Sequence, residues 1–137
     1  MQPIERFKDI NQAVELLNEW KQRLGLFDWI IKVKLVEPHE LSEDSDGECE
    51  YIKIIKSAVI RILRPKYYGD RIIKYCAEKI LVHELLHCKL AMFGDDDGIE
   101  PLLHQTLDDI ARALICAKYG ITHDWFCNIT YDGQEVN

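Results

Sequence analysis

The residues of this sequence with the clearest chemical potential are two histidines and a glutamate in "KILVHELLHCKL", residues 79–90. His83 and His87 are four positions apart, so in a helix they project from one face, where two imidazoles can bind one metal ion. Glu84 directly follows the first histidine. This is the H-E-x-x-H pattern, in which the histidines bind zinc and the glutamate takes a proton from the water that the zinc activates. The pattern predicts a zinc site with Glu84 as the general base.

Apolar residues surround this motif on all sides of the predicted helix. They are Ile80, Leu81, Val82, Leu85, Leu86, Leu90 and Ala91. A helix that is apolar almost all round is typically central in a fold. Ionisable groups buried there without partners would cost several kcal/mol, and a metal ion supplies such a partner. The context therefore favours a zinc site over histidines that only fill the core.

A catalytic zinc usually has three protein ligands and one open position for water. Phe93 stands six residues after the second histidine, where a metzincin would carry its third ligand. The next helical segment, "EPLLHQTLDDIARAL", places His104 and Asp108 four apart on one face. We predict that His104 is the third ligand and that Asp108 orients it or substitutes for it. Glu100 and His123 are the remaining alternatives.

Three other features near the motif have simpler interpretations than metal binding. Cys88 follows the second histidine directly, and adjacent helical positions point about 100° apart, so we expect a buried small residue rather than a fourth ligand. The run "DDD" at 95–97 lacks the alternating spacing of an EF-hand loop and is predicted to be a solvated loop. His39 lies in a polar segment and is predicted to be a surface residue.

The N-terminal third predicts a helix followed by a strand. Asp9 followed by Gln12 resembles a capping box, and apolar residues at helical spacing continue until Gly25. The segment "WIIKVKLV" from Trp29 alternates apolar residues with lysines, as a half-buried strand does. The polar stretch "HELSEDSDGE" that follows is predicted to be a loop outside the core.

The middle of the chain predicts a hairpin and two long helices. The segment "CEYIKIIKSAVIRILRP" holds two β-branched runs, of which the second, residues 58–63, is a strand closed by proline. A motif helix is expected from Asp70, its N-cap, to Phe93, and a last helix is expected to end at Gly120. The order predicts an α+β fold: an N-terminal helix, a small three-stranded and mostly antiparallel sheet, the long motif helix and a second long C-terminal helix.

Length and composition limit the class of protein. With 137 residues, 47% of them hydrophobic, the chain fits one domain, 1–137. No apolar run approaches the roughly 20 residues that span a bilayer, and the N-terminus lacks a signal-peptide pattern, so we expect a cytoplasmic protein with no membrane partner. Five scattered cysteines favour reduced thiols over a disulfide framework. The net charge of -7 argues against nucleic acid as a partner.

The segments "LVHELLHCKL" and "HQTLDDIARAL" together resemble the minimal gluzincin or SprT-like zincin fold. More closely, the sequence from residue 29 to 120 is similar to small metallopeptidases encoded by bacteriophages and prophages. This resemblance implies peptide-bond hydrolysis, and it implies that the strand before the motif helix, residues 58–63, lines the cleft as an edge. Tyr119, His123 and Tyr131 are candidates to stabilise the oxyanion. In that group the position matching His104 is often glutamate, so an all-histidine site would be a departure.

The leading hypothesis is therefore a zinc-dependent metallopeptidase, a hydrolase that cleaves a peptide or protein substrate in the cytoplasm. The alternative is a non-catalytic, phage-related zinc-binding module in which the metal holds the two long helices together and the surface binds a partner. A DNA-associated protease of the SprT kind is a third hypothesis. The acidic charge and the lack of room for a nucleic-acid module count against it.

Overall fold

Three helices and three strands organise the described part of the chain. The computed structural model describes residues 1–91 and 100–127. In chain order the elements are α1 (Ile10–Arg23), β1 (Ile30–Val36), β2 (Gly47–Ile52), β3 (Ser57–Leu63), α2 (Ala77–Lys89) and α3 (Glu100–Tyr119). The predicted α+β layout, with one helix before the sheet and two after it, is confirmed.

The first helix begins where its capping signal indicates. The Oδ1 atom of Asp9 accepts a hydrogen bond from the N–H of Gln12 at 2.9 Å. After the helix ends at Arg23, Gly25 adopts a left-handed conformation with φ +70°, which glycine reaches without strain. The buried residues of the helix are Ala13, Leu16, Leu17 and Trp20. The helix is therefore amphipathic, and its apolar side joins the core.

The three strands form a mixed sheet in the order β1-β3-β2. β1 pairs with β3 in parallel, whereas β2 and β3 form the predicted antiparallel hairpin. The sheet is thus mixed rather than mostly antiparallel. Residues 58–63, expected at an edge, belong to the central strand, and β1 and β2 form the two edges. The loop 37–46 crosses the end of β3, where the N–H of Leu63 donates to the oxygen of Asp46 at 2.8 Å, so β2 takes the outer place.

One face of the sheet packs against the helices, and we call it the inner face. On the central strand Ala58, Ile60 and Ile62 point to this side and are buried, as is Val33 on β1. Helices α1 and α2 contact the sheet here, and α3 packs on α2. The motif helix consequently lies between the sheet and the last helix, which explains why it is apolar almost all round.

The motif helix starts later than its capping signal predicts. α2 begins at Ala77 rather than just after Asp70. Residues before it take an extended path, because Ile73 forms an isolated antiparallel bridge with Cys127. The predicted N-cap, Asp70, was therefore wrong. An aspartate before apolar residues is a local signal, and it cannot reveal a partner that is distant in the sequence.

The ends of the two long helices differ in how well they were predicted. α2 ends at Lys89, whereas the predicted end, Phe93, lies outside the described residues. α3 ends at Tyr119 and is followed by Gly120 with φ +66°, as its glycine indicates. None of the helices in the described ranges combines the length and low polarity that crossing a membrane requires.

A buried carboxylate joins the helices to the N-terminal segment. Glu78 at the start of α2 is completely buried. One of its oxygens accepts hydrogen bonds from the indole of Trp20 and the ammonium of Lys118, both at 2.8 Å. The other accepts from the backbone N–H of Ile4 at 2.9 Å and the hydroxyl of Tyr119 at 2.7 Å. This one side chain therefore ties together the chain start, α1, α2 and the end of α3.

Candidate metal centre

Three histidines from two helices converge where α2 packs on α3. His83 and His87, one turn apart on α2, have ring centroids separated by 5.3 Å. The ring of His104 on α3 lies 4.7 Å from that of His87 and 5.7 Å from that of His83. One nitrogen of each ring lies within 4.8 Å of the others. The structure thus brings together the three residues that the sequence proposed as metal ligands.

The donor types are ones that zinc accepts, and the separation of one ligand pair matches a tetrahedral zinc site. Bonds of about 2.0–2.1 Å place two nitrogen ligands of a tetrahedral zinc about 3.3–3.4 Å apart. The Nδ1 atom of His104 and the Nε2 atom of His83 are 3.4 Å apart. Imidazole nitrogens suit zinc, whereas magnesium and calcium prefer oxygen ligands. Three protein ligands also leave one tetrahedral position for water or substrate.

Asp108 lies against the imidazole of His83, whereas we predicted that it would orient His104. Its Oδ1 atom is 3.4 Å from Nδ1 of His83, so the other nitrogen of that ring faces the cluster. The same carboxylate pairs with Lys79 at 2.9 Å and with Arg112 at 3.3 Å. Burial alone would raise the pKa of Asp108, but the hydrogen bond with His83 and the charges of Lys79 and Arg112 hold it well below its usual range. Asp108 therefore stays ionised.

Glu84 lines the same cleft as His83 and His104. Only 5% of the residue is exposed, and it makes no hydrogen bond or ion pair with any residue of the described ranges. Burial raises the pKa of Glu84 to about 8, and the negative charge of Glu48 adds to this effect. A largely buried carboxylate that makes no hydrogen bond with the described residues is unusual, so its position in a cleft with His83 and His104 calls for a functional explanation.

Strand β2 approaches Glu84 closely because its first residue, Gly47, has no side chain. A Cβ atom placed on Gly47 would lie 3.1 Å from Oε2 of Glu84 and 2.7 Å from Cγ2 of Ile80. The shorter distance is one that real Cβ atoms do not adopt. Any other residue at this position would therefore displace the α2 side chains on which the site depends.

The cleft has a volume of about 170 Å³ and is formed by α2, α3 and the start of β2. Its lining residues are Ser45, Asp46, Gly47, Lys79, Ile80, His83, Glu84, His104 and Asp108. Lys79 was not among the predicted site residues, although its position one helical turn before His83 indicates the same face. The loop around Asp46 was predicted to lie outside the core, because a polar, turn-rich segment carries no local sign of the site it lines.

The other candidates for metal binding and oxyanion stabilisation do not join this cluster in the described structure. His123 is exposed in the short 3-10 turn after α3, and the hydroxyl of Tyr119 donates to Glu78 instead. Tyr131 and the side chain of Glu100 lie outside the described part. Within that part, His104 on α3 is therefore the third member of the histidine cluster.

The simpler interpretations of nearby residues are consistent with the structure where it describes them. Cys88 is 1% exposed, and its Sγ atom lies 3.4 Å from that of Cys49 on β2. It is a buried residue that packs against the sheet. The side chain of His39 is 73% exposed. The acidic run 95–97 lies outside the described residues.

This centre is defined by its own geometry, in which two helices and an edge strand bring three imidazoles and one carboxylate together. Comparison of the chain with protein-family models, with curated proteins and with solved structures found no match.

Proposed function

We propose that this protein is a zinc-dependent metallopeptidase. The observation that carries the proposal is the position of Glu84, a buried carboxylate without a partner among the described residues, in a cleft that it shares with His83 and His104. A purely structural metal site would not require a free carboxylate beside the ligands. A hydrolytic site does require one, because water must lose a proton as it attacks.

The chemistry divides between the metal and the chain. Zinc held by His83, His87 and His104 would polarise the scissile carbonyl and lower the pKa of water. Glu84 accepts the proton of the attacking water and passes it to the leaving amine. Asp108 keeps His83 oriented through its Nδ1 atom. A nearby cation also favours the ionised form of Glu84, which offsets the effect of burial on its pKa.

The proposed substrate is a peptide or protein, in the cytoplasm. The resemblance to phage and prophage metallopeptidases supplies the reaction class, and the edge strand β2 supplies a surface consistent with it. This strand borders the cleft at Gly47. An extended peptide can add to a sheet edge by backbone hydrogen bonds. A proteome-wide search for new N-termini after incubation with the zinc-loaded protein would identify the bonds that are cleaved.

A non-catalytic zinc module is the second candidate function. It is favoured by the ion pairs that join α2 to α3 beside the histidines, where Lys79 contacts Asp108 at 2.9 Å. Zinc would reinforce this contact by joining His104 on one helix to His83 and His87 on the other. If no substrate is cleaved although zinc is bound, the result favours this second function over peptidase activity.

The protein is expected to bind about one zinc ion per chain through the three histidines. Elemental analysis after metal-replete expression measures the stoichiometry, and thermal unfolding with and without a chelator measures the linked stability. His104→Ala should weaken zinc binding by removing one of three ligands. His123→Ala is the matched control, because that residue is exposed outside the cluster. Zinc binding that is unchanged in His104→Ala but lost in the control would contradict the assignment.

Asp108→Asn is expected to lower zinc affinity by about 10- to 100-fold, as changes to residues that orient a ligand do. The amide keeps the size of the side chain but loses the charge that faces His83, Lys79 and Arg112. Competition with a fluorescent chelator measures the affinity. Asp109→Asn is the control, because that neighbour pairs with Arg112 at 2.7 Å but is largely exposed. Equal losses in both variants would show that Asp108 has no special role.

A further inference from the structure

The face of the sheet opposite the helices, which we call the outer face, bears side chains from all three strands. Alternate residues along a strand point to opposite faces, so the outer set can be assigned from the buried inner set. Its exposed and half-buried members are Ile30, Lys32 and Lys34 on β1, Ser57, Val59 and Arg61 on β3, and Glu48, Glu50 and Ile52 on β2. The next pair on this face, Val36 and Leu63, is buried. β1 and β3 form a parallel pair, and parallel strands are normally covered on both faces.

The strand register arranges these nine residues in three rows across the sheet. Ile30, Ser57 and Ile52 form the first row. Lys32, Val59 and Glu50 form the second, and Lys34, Arg61 and Glu48 form the third. One row is therefore largely apolar, and the other two carry a lysine at the β1 edge and a glutamate at the β2 edge.

The apolar row continues into an exposed patch at the same end of the sheet. Its members are Phe27 (74% exposed), Ile30 (75%), Ile52 (54%), Ile54 (91%) and Ile55 (60%). An ion pair of 2.5 Å between Asp28 and Lys56 holds the Phe27 loop beside the hairpin turn. Exposed apolar residues that cluster in this way mark a contact surface.

The geometry points to a second copy of this chain as the partner, docked outer face to outer face. A two-fold axis parallel to β3 places β1 of one copy over β2 of the other and keeps each row in line. Ile30 then meets Ile52, Lys32 meets Glu50, and Lys34 meets Glu48 of the second copy. Because the symmetry repeats each contact, the interface contains two apolar pairs and four opposite-charge pairs. Two sheets packed in this aligned way lie about 10 Å apart.

The charges on this face favour a second copy over a polyanion. Two lysines on β1 balance two glutamates on β2, whereas a surface that binds nucleic acid or an anionic membrane needs clustered positive charge. Arg61 near the axis faces its own symmetry mate, but it lies 3.5 Å from Glu50 of its own sheet. The helices that carry the histidines lie on the inner face, so dimerisation leaves the metal cleft open.

Charge reversal with mixing tests this arrangement. In Lys32→Glu and in Glu50→Lys, each dimer would contain two like-charge pairs, and we expect its dissociation constant to rise at least about tenfold. In a mixture of the two variants, the reversed residue of one chain meets its opposite charge on the other, so a mixed dimer should form. Sedimentation velocity on the 137-residue chain at about 5–200 μM measures the masses of the species present. This range suits a dimer of about micromolar affinity.

If dimers form in the mixture but not in either variant by itself, misfolding cannot explain the loss, because mixing does not refold a misfolded chain. Lys8→Glu is the matched control, since Lys8 is an exposed lysine outside the sheet, and it should associate like the wild type. A wild-type protein that stays at its monomer mass of 16.0 kDa throughout the range would overturn the proposal. So would a wild-type dimer that neither single variant weakens, or a mixture that stays monomeric.

Discussion

Glu84→Gln is expected to remove peptidase turnover while zinc remains bound. The amide matches the carboxylate in size but cannot accept the proton of the attacking water, and loss of a general base costs at least about a hundredfold in rate. The side chain makes no hydrogen bond or ion pair with any described residue, so its replacement should leave the fold intact. Turnover on a substrate identified by N-terminal profiling, together with zinc content and circular dichroism, measures the three properties.

The control for this experiment is Glu48→Gln. Glu48 influences Glu84 through its charge, but it points to the outer face and does not line the cleft. We expect this variant to keep most of the activity. If Glu84→Gln retains turnover, the base lies elsewhere. If both variants lose turnover equally, the loss reflects electrostatics or stability rather than proton transfer.

Glu78→Ala is expected to reduce the free energy of unfolding by about 3–5 kcal/mol. The substitution removes the acceptor for four donors and leaves the ammonium of Lys118 buried, with a side chain only 7% exposed. The indole N–H of Trp20 and the hydroxyl of Tyr119 would lose their partners as well. Urea unfolding followed by tryptophan fluorescence measures the change.

Glu19→Ala separates this central role from an ordinary ion pair. Glu19 also contacts Lys118, at 2.7 Å, but its side chain is 41% exposed. Exposed ion pairs contribute about 0–1 kcal/mol, so we expect a correspondingly small loss. Glu78→Gln should fall between the two, because the amide keeps an acceptor but not the charge. Similar values for Glu78→Ala and Glu19→Ala would refute the special role of the buried carboxylate.

Local periodicity predicted the site better than it predicted the connections around it. His104 was predicted because it shares a helical face with Asp108 in a segment that could pack on the motif helix. The spacing could not show that Asp108 contacts His83, since this depends on how the two helices pack. Asp70 was a plausible cap, but the bridge between Ile73 and Cys127 keeps the preceding segment extended.

Residues that act through distant contacts were the ones that sequence reasoning missed. Glu78 is one of several charged residues in the printed sequence, and its four donors come from positions as far apart as Ile4 and Tyr119. Gly47 stood in a segment that composition alone identified as a loop. The order of the strands was also out of reach, because an edge and a central strand can carry similar β-branched runs.

The alternation of side chains along β2 gives this short strand two separate roles. Its inward residues begin with Gly47 against Glu84, and its outward residues include Glu48 and Glu50 on the opposite face. A slip of one residue in the pairing with β3 would exchange the two sets. It would bring the carboxylate of Glu48 to the place that must stay empty beside Glu84. It would also turn the present inward residues of β2 to the outer face. Insertions or deletions within β2 should therefore be far less tolerable than substitutions at its outward positions.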